Sequence, residues 1–305
     1  MKIIFMGTPQ FASTILESLS KKYEIVLVVS QPDKEVGRKR ILTPPPVIEK
    51  ARELGLKYTQ PRKIREEYDD IVNAGADMIV TAAYGQIIPT IVLKSVKKAI
   101  NVHASLLPKY RGGAPIQRSI INGDLKTGVS IIEMVDKLDA GCIYAQREID
   151  IQKDDNNTTM FEKLSILGRD LLLEVIDDIY EGKNKGTPQD ENKVVYSPNI
   201  KREEEKISFD DLSINIFNKI RGLAYEPGAY ATINGEVIKI YSSEIVENDT
   251  SSVPGTIISL SKEILVKTKD KAIRLLDIKP SGKKMMKAKD YLNGQKLLNV
   301  NDIFE

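Results

Sequence analysis

Four short apolar runs, separated by helical and turn segments, constrain the fold more than any other feature of the chain. They cover residues 2–6, 25–29, 77–81 and 98–104. Each is apolar at most positions instead of alternating, which indicates strands buried on both faces, as in a parallel sheet covered by helices. Strands that alternate with helices favour an α/β fold. We therefore predict a doubly wound, Rossmann-like and mostly parallel sheet in the first part of the chain.

The second part of the chain carries a different pattern. Residues 182–198 are rich in Gly, Pro, Asn and Gln, which is typical of a linker. Short β-rich runs follow, and the Asn234-Gly235 pair between two of them is a strong hairpin signal. Such a succession indicates a small C-terminal β-barrel, OB-like in type. The predicted boundaries are 1–187 for the sheet domain, 188–206 for the linker and 207–305 for the barrel.

Composition narrows the class of protein. A chain of 305 residues suits two domains, and 41% hydrophobic with 29% charged residues is ordinary for a globular protein. The single cysteine, Cys142, excludes an internal disulfide, and with one histidine there is no Cys/His zinc cluster, which needs about four ligands. A net charge of +2 leaves any RNA contact to local basic patches.

Two absences bear on location. No apolar run approaches the ~20 residues that a membrane helix needs. The N-terminus opens directly into a strand, without a charged and then apolar leader. We expect a cytoplasmic, monomeric protein with no membrane segment and no bound metal.

The only histidine of the chain, His103, lies at the end of an apolar run. Asn101 precedes it by two positions, so both side chains lie on one face of the predicted strand. Pro108 and Gly112 then end the regular structure, and ligands of open parallel sheets bind at such carboxyl ends. An acidic turn at residues 136–141 could return its carboxylates to the same edge. A lone histidine is more often structural, so these features indicate a candidate active site without defining a reaction.

Three further stretches are ambiguous from their residues alone. Gly7 lacks the Gly-x-Gly-x-x-Gly context, so a tight turn is favoured over a dinucleotide site. Residues 31–46, which contain several prolines, predict a loop, and its basic cluster is either solvated or an arm for phosphate. The lysine-rich stretch at 279–289 is likewise either a solvated face or the rim of an oligonucleotide-binding barrel.

Three motifs together resemble the signature of the folate-dependent formyltransferases. They are Asn-x-His-x-Ser-Leu-Leu-Pro at 101–108, Tyr-Arg-Gly-Gly-Ala-Pro-Ile-Gln at 110–117 and Leu-Asp-Ala-Gly at 138–141. Pro-Ser-Gly-Lys-Lys-Met-Met at 280–286 resembles an element of the branch that acts on charged tRNA, so the resemblance covers nearly the whole chain. It implies formyl transfer from 10-formyltetrahydrofolate, as co-substrate, to the α-amino group of methionine on initiator methionyl-tRNA, for translation initiation.

The resemblance also implies roles for individual residues. His103 would shuttle a proton and stabilise the oxyanion, since imidazole titrates near neutral pH, at about 6.5. Asn101 would donate an amide N–H to the oxyanion. The motif selects Asp139 over its rival Asp136 as the carboxylate that orients His103. Ser105 lacks a nucleophile elbow, and direct transfer needs no acyl-enzyme.

Two sets of binding residues are implied in the same way. The folate pocket would be lined by Tyr84, Gly85, Ile87, Ile88, Ser105, Leu106, Leu107 and Pro108. Contacts with tRNA would come from Arg38, Lys39, Arg40, Lys283 and Lys284.

The chain also departs from the family pattern. Ala104 stands where relatives often have Gly, and the chain has no Trp where a Trp-containing stretch is common. An aromatic contact with RNA at that place would therefore fall to Tyr225 or Tyr230.

Alternative functions within the family would use the same Asn101, His103 and Asp139. Glycinamide ribonucleotide formyltransferase and formyltetrahydrofolate hydrolase are disfavoured by the barrel and the basic loop. A nucleotide-sugar formyltransferase is disfavoured by the C-terminal lysine motif. A non-catalytic RNA-binding protein is a further alternative, against which the intact catalytic set weighs.

Overall fold

A computed structural model describes residues 1–37, 39–294 and 297–305. The described chain forms two compact units, and each takes its residues from three separate stretches. The first unit comprises Met1–Pro115, Thr127–Ile149 and Phe161–Pro198, and the second Ile116–Lys126, Asp150–Met160 and Asn199–Glu305. The domain boundaries that we expect from composition stay a prediction. A compact unit can include a segment from elsewhere in the chain, so the limits of the two units do not test where each domain begins and ends.

The chain up to residue 198 contains strands β1 to β11 and helices α1 to α6. The strands are β1 (Lys2–Gly7), β2 (Glu24–Val29), β3 (Lys34–Val36), β4 (Ile41–Thr43), β5 (Tyr58–Thr59), β6 (Met78–Ala82), β7 (Lys98–His103), β8 (Lys109–Arg111), β9 (Lys126–Glu133), β10 (Ile143–Asp150) and β11 (Val195–Tyr196). The helices are α1 (Gln10–Ser20), α2 (Pro46–Glu53), α3 (Asp69–Val72), α4 (Thr90–Leu93), α5 (Pro115–Ile121) and α6 (Asn157–Glu181).

The central sheet has the order β10-β9-β7-β6-β1-β2-β5 among the described residues. From β5 to β7 each strand runs parallel to its neighbour. Strand β9 then runs antiparallel to β7. Ile3, Ile4, Phe5 and Met6 of β1 are fully buried, since helices and loops cover both faces of the sheet. The predicted mostly parallel α/β sheet is therefore confirmed.

Gly7, at the end of β1, is required by close packing. A Cβ atom there would lie 2.4 Å from the Cβ of Ala12 and 2.9 Å from the backbone oxygen of Ala82. Both distances are shorter than real Cβ contacts. The approach of α1 and β6 thus accounts for this glycine without a nucleotide, as the sequence favours.

The basic loop at 31–46 is more regular than its prolines suggest. Strands β3 and β4 pair in an antiparallel hairpin inside it. The prediction of a loop without strands is wrong here, because Pro32 and the prolines at 44–46 flank the ladder and leave its N–H donors intact. Val36, Ile41 and Leu42 of this hairpin are exposed.

The second unit contains a curled antiparallel sheet, a helix at its N-terminal side and a short C-terminal helix. Beyond residue 198 its elements are α7 (Ser213–Leu223), β12 (Ala229–Ile233), β13 (Glu236–Val246), β14 (Ile257–Ser259), β15 (Ile264–Lys267), β16 (Ala272–Pro280), β17 (Met286–Lys287) and α8 (Ala288–Tyr291). The sheet order is β12-β13-β16-β15-β14, and β17 pairs with β16. Asn234 and Gly235 form the β12–β13 turn with φ angles of 51° and 77°, which confirms the predicted hairpin.

The C-terminal segment bridges the two outer strands of this curled sheet. Ile257 of β14 donates its N–H to the carbonyl oxygen of Asp302 over 2.8 Å, and Glu305 donates its N–H to that of Thr232 in β12 over 2.8 Å. The result is a half-barrel closed by a bridging segment, and Phe304 joins its apolar core. The barrel-like C-terminal domain expected from the turn spacing is therefore present.

Two kinds of feature are absent from the described residues. None of the described helices combines the length and the apolar character that a membrane crossing requires. Likewise, within the described residues no group of three or more His, Cys, Asp or Glu side chains is arranged to hold a metal ion.

Candidate active site

His103 ends strand β7 and is 6% exposed. Its Nε2 atom lies 2.9 Å from the carbonyl oxygen of Tyr110. A carbonyl can only accept, so Nε2 carries a proton in the neutral ring and Nδ1 carries the lone pair. Nδ1 faces the Oδ2 atom of Asp139 at 3.7 Å. Nδ1 is therefore the ring atom that can take up a proton, and a carboxylate stands beside it.

Asp139 is held by the backbone of another loop. Its Oδ2 atom accepts a hydrogen bond of 2.9 Å from the Gly112 N–H. The 3.7 Å separation from His103 exceeds hydrogen-bond length but permits strong attraction to an imidazolium. The hydrogen bond that orients the ring thus comes from the Tyr110 carbonyl, and Asp139 supplies charge. The sequence assigned orientation to Asp139 and did not indicate Tyr110.

Asn101 lies opposite Thr81 in the parallel pairing of β7 with β6. The Thr81 hydroxyl donates to Oδ1 of Asn101 over 2.8 Å. This bond is the shortest of the hydrogen bonds that the Thr81 hydroxyl can donate, and it holds Oδ1 of the amide against Thr81. Nδ2 of Asn101 forms no hydrogen bond within the part of the chain that the structure describes, and is left as the donor. Thr81 was missed by the sequence reasoning; its one signal is a hydroxyl at the end of an otherwise apolar run.

The two rival side chains are engaged elsewhere. Asp136 accepts a hydrogen bond of 2.6 Å from the Thr90 hydroxyl. Ser105 is fully buried, and its hydroxyl donates to the carbonyl oxygen of Lys109 over 2.6 Å. These contacts favour Asp139 as the carboxylate and agree with a structural Ser105.

The turn after β6 separates into supporting and exposed residues. Tyr84 and Ile88 are buried in an apolar cluster of the sheet domain. Burial raises the pKa of the Tyr84 hydroxyl, which has no hydrogen-bond partner among the described residues. Gly85, with φ at 90°, and Ile87, at 66% exposure, lie on the outer side. Of the four residues predicted here for folate, these two are open to a ligand.

The loop after His103 is fixed by polar residues of β9 and β10. The Ser130 hydroxyl accepts from the Leu107 N–H over 3.1 Å and donates to the Ser105 carbonyl over 2.6 Å. Gln146 donates to the Leu107 carbonyl over 2.8 Å. Ser105 and Leu107 are buried, whereas Leu106 and Pro108 are half-buried and retain exposed surface.

Of the basic residues predicted in the loop at 31–46, Arg38 lies outside the described residues. Lys39 and Arg40 are exposed at the hairpin turn. The Nε atom of Arg40 lies 3.2 Å from Oε2 of Glu35, an exposed pair that holds the guanidinium loosely.

The C-terminal lysines lie in the second unit. Lys283 and Lys284 are exposed, and the ammonium of Lys283 lies 4.8 Å from the centre of the Tyr291 ring. Tyr225, which is 40% exposed, stacks on Tyr241 with 5.5 Å between ring centres. Arg202 covers the Tyr230 ring at 4.2 Å. Tyr225 is thus the more accessible of the two tyrosines that could replace the absent tryptophan.

Residues 189–197 contact the site directly, although their composition predicts a linker. Gln189 donates hydrogen bonds to the carbonyl oxygens of Asp139 and Gly141. Ser197 is fully buried and donates to the carbonyl oxygen of Tyr110. Neither residue carried a signal in the sequence, since isolated Gln and Ser residues are common in loops.

Comparison with known families covers most of the chain. Residues 1–176 match the formyl transferase family, and residues 199–296 match the formyl transferase C-terminal domain. The chain belongs to the formyl transferase family. The resemblance seen in the sequence motifs is thereby confirmed.

Relatives of this formyl transferase extend over almost its whole length. The methionyl-tRNA formyltransferase of Lactobacillus acidophilus is 50% identical over 298 residues, which cover 96% of this chain and 95% of the relative. That of Staphylococcus aureus strain JH1 is 48% identical over 298 residues, which cover 96% of each.

Solved structures share the fold of this formyl transferase at low identity. HypX from Aquifex aeolicus, in complex with tetrahydrofolic acid, has a TM-score of 0.65 at 16% identity; the match covers 99% of this chain and half (50%) of HypX. An N-formyltransferase from Helicobacter canadensis, in complex with folinic acid and dTDP-3-aminofucose, has a TM-score of 0.67 at 20% identity, with 90% and 98% coverage.

Proposed function

We propose that this formyl transferase moves the formyl group of 10-formyltetrahydrofolate to the α-amino group of methionine on initiator methionyl-tRNA, for translation initiation. The observation that carries the proposal is the 50% identity to a methionyl-tRNA formyltransferase over 96% of the chain. That identity extends over the half-barrel with its exposed lysines, and exposed cations of this kind can contact the phosphates of a tRNA.

The reaction requires one proton to leave the acceptor and one to reach the leaving group. The amine nitrogen bonds to the formyl carbon, the bond from that carbon to N10 breaks, and N10 gains a proton. An α-amino group has an unperturbed pKa of about 7.7–8.0, so a modest base is sufficient at neutral pH. Nδ1 of His103 accepts the amine proton, since Nε2 is committed to Tyr110. The imidazolium that forms is stabilised by Asp139 at 3.7 Å. It then gives this proton to N10 as the bond between N10 and the formyl carbon breaks, which restores the neutral ring.

Negative charge develops on the formyl oxygen as the carbon becomes tetrahedral. Nδ2 of Asn101 donates to that oxygen, while Thr81 holds the other end of the amide. A donor fixed before the reaction needs no reorganisation when charge appears, and losing one such donor costs about 10²–10³ in rate. Thr81 is a positioning residue in this scheme.

The folate co-substrate binds against surface that lies on both sides of the catalytic strand. Gly85 and Ile87 supply one wall, and Leu106 and Pro108 the other, supported by Tyr84, Ile88, Ser105 and Leu107. Such a set agrees with pockets that are mostly apolar and hold a few polar anchors.

The tRNA is contacted by Arg38, Lys39 and Arg40 of the basic stretch at 31–46 in the sequence and by Lys283 and Lys284 of the half-barrel. Exposed cations bind phosphates by releasing counterions, so this contribution weakens as salt rises. We further propose that the protein acts as a monomer in the cytoplasm, where charged initiator tRNA is used; gel filtration with light scattering tests the monomer.

The deciding experiment compares acceptors for the formyl group of 10-formyltetrahydrofolate. The acceptors are initiator methionyl-tRNA, glycinamide ribonucleotide, a dTDP-amino sugar and water. We expect transfer to methionyl-tRNA alone. Transfer to the nucleotide or sugar, or release of formate, with methionyl-tRNA left unmodified, would refute the proposed acceptor.

A further inference from the structure

The segment at residues 189–197, called the strap below, contacts the backbone around the active site within the first unit. It lies between the two regions that match the formyl transferase family, which end at residue 176 and begin at residue 199. Its strand β11 pairs with β8, the strand that leads into Gly112.

Gln189 links the strap to the turn that carries Asp139. Its Nε2 atom donates to the carbonyl oxygens of Asp139, at 2.7 Å, and Gly141, at 2.9 Å. Its Oε1 atom accepts from Nε and Nη2 of Arg111, at 3.1 and 2.9 Å. Both amide hydrogens and both lone pairs are therefore used, so the side chain has one orientation.

The Asp139 turn needs such support. Asp139 has a φ angle of 48°, in the left-handed region that non-glycine residues occupy only at a cost. The carboxylate position relative to His103 depends on that backbone conformation. Holding the carbonyl oxygens on both sides of Ala140 fixes the turn, and thereby the carboxylate.

Ser197 acts on the other side of the imidazole. Its hydroxyl donates over 2.9 Å to the carbonyl oxygen of Tyr110, the same atom that accepts from Nε2 of His103. Tyr110 also has a left-handed backbone, with φ at 65°. The N–H of Ser197 donates to the Arg111 carbonyl over 2.7 Å, so the hydroxyl is anchored by its own backbone.

The strap packs directly against the backbone that binds Asp139. Gly112, which donates to Asp139, has φ at 126°, and a Cβ there would lie 2.7 Å from the Ser197 carbonyl oxygen. No side chain at position 112 fits between the Gly112 backbone and the backbone of the strap.

The strap also neutralises the buried cation of β8. Arg111 is fully buried, and its Nη2 atom lies 2.7 Å from Oε1 of Glu191. A buried charge destabilises a fold unless it is paired. Removing the strap would therefore leave Arg111 without its partners as well as freeing Asp139 and Tyr110.

We infer that the strap is a positioning element of the active site, in which Gln189 sets the place of Asp139 and Ser197 sets that of His103. The inference rests on the proposed function only for its kinetic readout. Neither residue is assigned contact with substrate; each acts through hydrogen bonds to backbone carbonyls.

The test uses Gln189→Glu and Ser197→Ala in the full chain. Gln189→Glu keeps an acceptor for Arg111 but removes both donors to the Asp139 turn, and Ser197→Ala removes only the hydroxyl. Asn192→Ala is the matched control, since Asn192 is exposed on the same segment. We expect kcat to fall about 10-fold for Gln189→Glu and about 5-fold for Ser197→Ala, with each KM unchanged and the control unaffected.

A second readout does not depend on formyl transfer. His103 is the only histidine, so its ring resonances in ¹⁵N-edited NMR spectra are unambiguous. We expect both strap variants to shift the Nε2 and Nδ1 resonances while Asn192→Ala leaves them in place.

The two readouts separate the possible failures. Strap variants that fold, keep the His103 resonances of the wild type and retain kcat within about two-fold would overturn the inference. Strap variants that do not fold at all would also overturn it, in favour of a purely structural role. If the wild type does not formylate methionyl-tRNA but both strap variants shift the His103 resonances, the strap inference is upheld and only the proposed function is refuted.

Discussion

Replacing Asp139 with asparagine removes one negative charge from the active site and leaves its shape in place. The amide oxygen of Asp139→Asn can still accept from the Gly112 N–H, which lies 2.9 Å from Oδ2. What the variant loses is the attraction between a carboxylate and the His103 imidazolium, 3.7 Å away.

The size of this loss follows from the distance and the burial. Coulomb's law at 3.7 Å gives about 4 kcal/mol with an effective dielectric constant of about 20. Little of that is screened by water, because the two side chains are 6% and 13% exposed. The imidazolium forms only as the amine reacts, so the loss falls on the transition state. About 4 kcal/mol corresponds to a decrease of about 10³-fold in kcat.

The assay is single-turnover formation of formylmethionyl-tRNA at saturating 10-formyltetrahydrofolate. Asp136→Asn is the control, since Asp136 belongs to the same turn and its carboxylate bonds to Thr90 instead. We expect the control to stay within about two-fold of the wild type. Thermal unfolding and tetrahydrofolate binding check that each variant is folded.

Two results would refute the reasoning. Asp139→Asn that keeps more than about a tenth of the wild-type kcat would show that the charge is not used in the transition state. An equal loss in both aspartate variants would show that the turn as a whole matters, without a special role for Asp139.

Three further outcomes can be checked with the same protein. His103→Ala is expected to abolish transfer, because the proton acceptor is gone. Calorimetry should show that the affinity for tetrahydrofolate changes only a few-fold. Turnover that remains in this variant would contradict the role of His103. Hydrogen bonds lower the pKa of Glu191 from 4.5 to about 2, and the hydrogen bond from Arg111 contributes most to this shift. Because the folded pKa is depressed, this stabilisation is present above about pH 4.5 and is lost as the pH falls towards 2, so the Tm difference between wild type and Glu191→Gln should close over that window. A double Lys283→Ala and Lys284→Ala variant should raise the KM for tRNA and flatten its salt dependence by about 1–2 units of slope; equal loss with a free-amine mimic lacking RNA would exclude this role.

The sheet and the centre of the site were accessible from the sequence for a local reason. Buried parallel strands are apolar on both faces. Residues 2–6 and 77–81 can therefore be recognised as strands from their own composition, without knowing which strands lie beside them. The alternation of side chains along a strand also places Asn101 beside His103. The Asn234-Gly235 turn is local in the same sense, since its positive φ angles demand those residue types.

The sequence could not indicate hydrogen bonds between residues that are far apart along the chain. Gln189 bonds to a carbonyl 50 positions away and to a guanidinium 78 positions away. Gln, Asn, Gly and Pro residues give the same composition to a free linker and to a segment such as 189–197, in which Gln189 and Ser197 are hydrogen-bonded to backbone carbonyls. Thr81 shows the same limit, because its role depends on the register between two strands.

The interleaving of the two units limits how the gene can be cut and joined. The second unit includes Ile116–Lys126 and Asp150–Met160. Gly222 of α7 comes so close to Ile121 that a Cβ would lie 2.7 Å from its Cγ1, and Arg118 pairs with Glu204 at 2.6 Å. A crossover at residue 198 between diverged genes would take Arg118 and Ile121 from one gene and Glu204 and Gly222 from the other. Residues that contact each other would then no longer have evolved together. Recombination can therefore exchange the half-barrel only when both short segments match it.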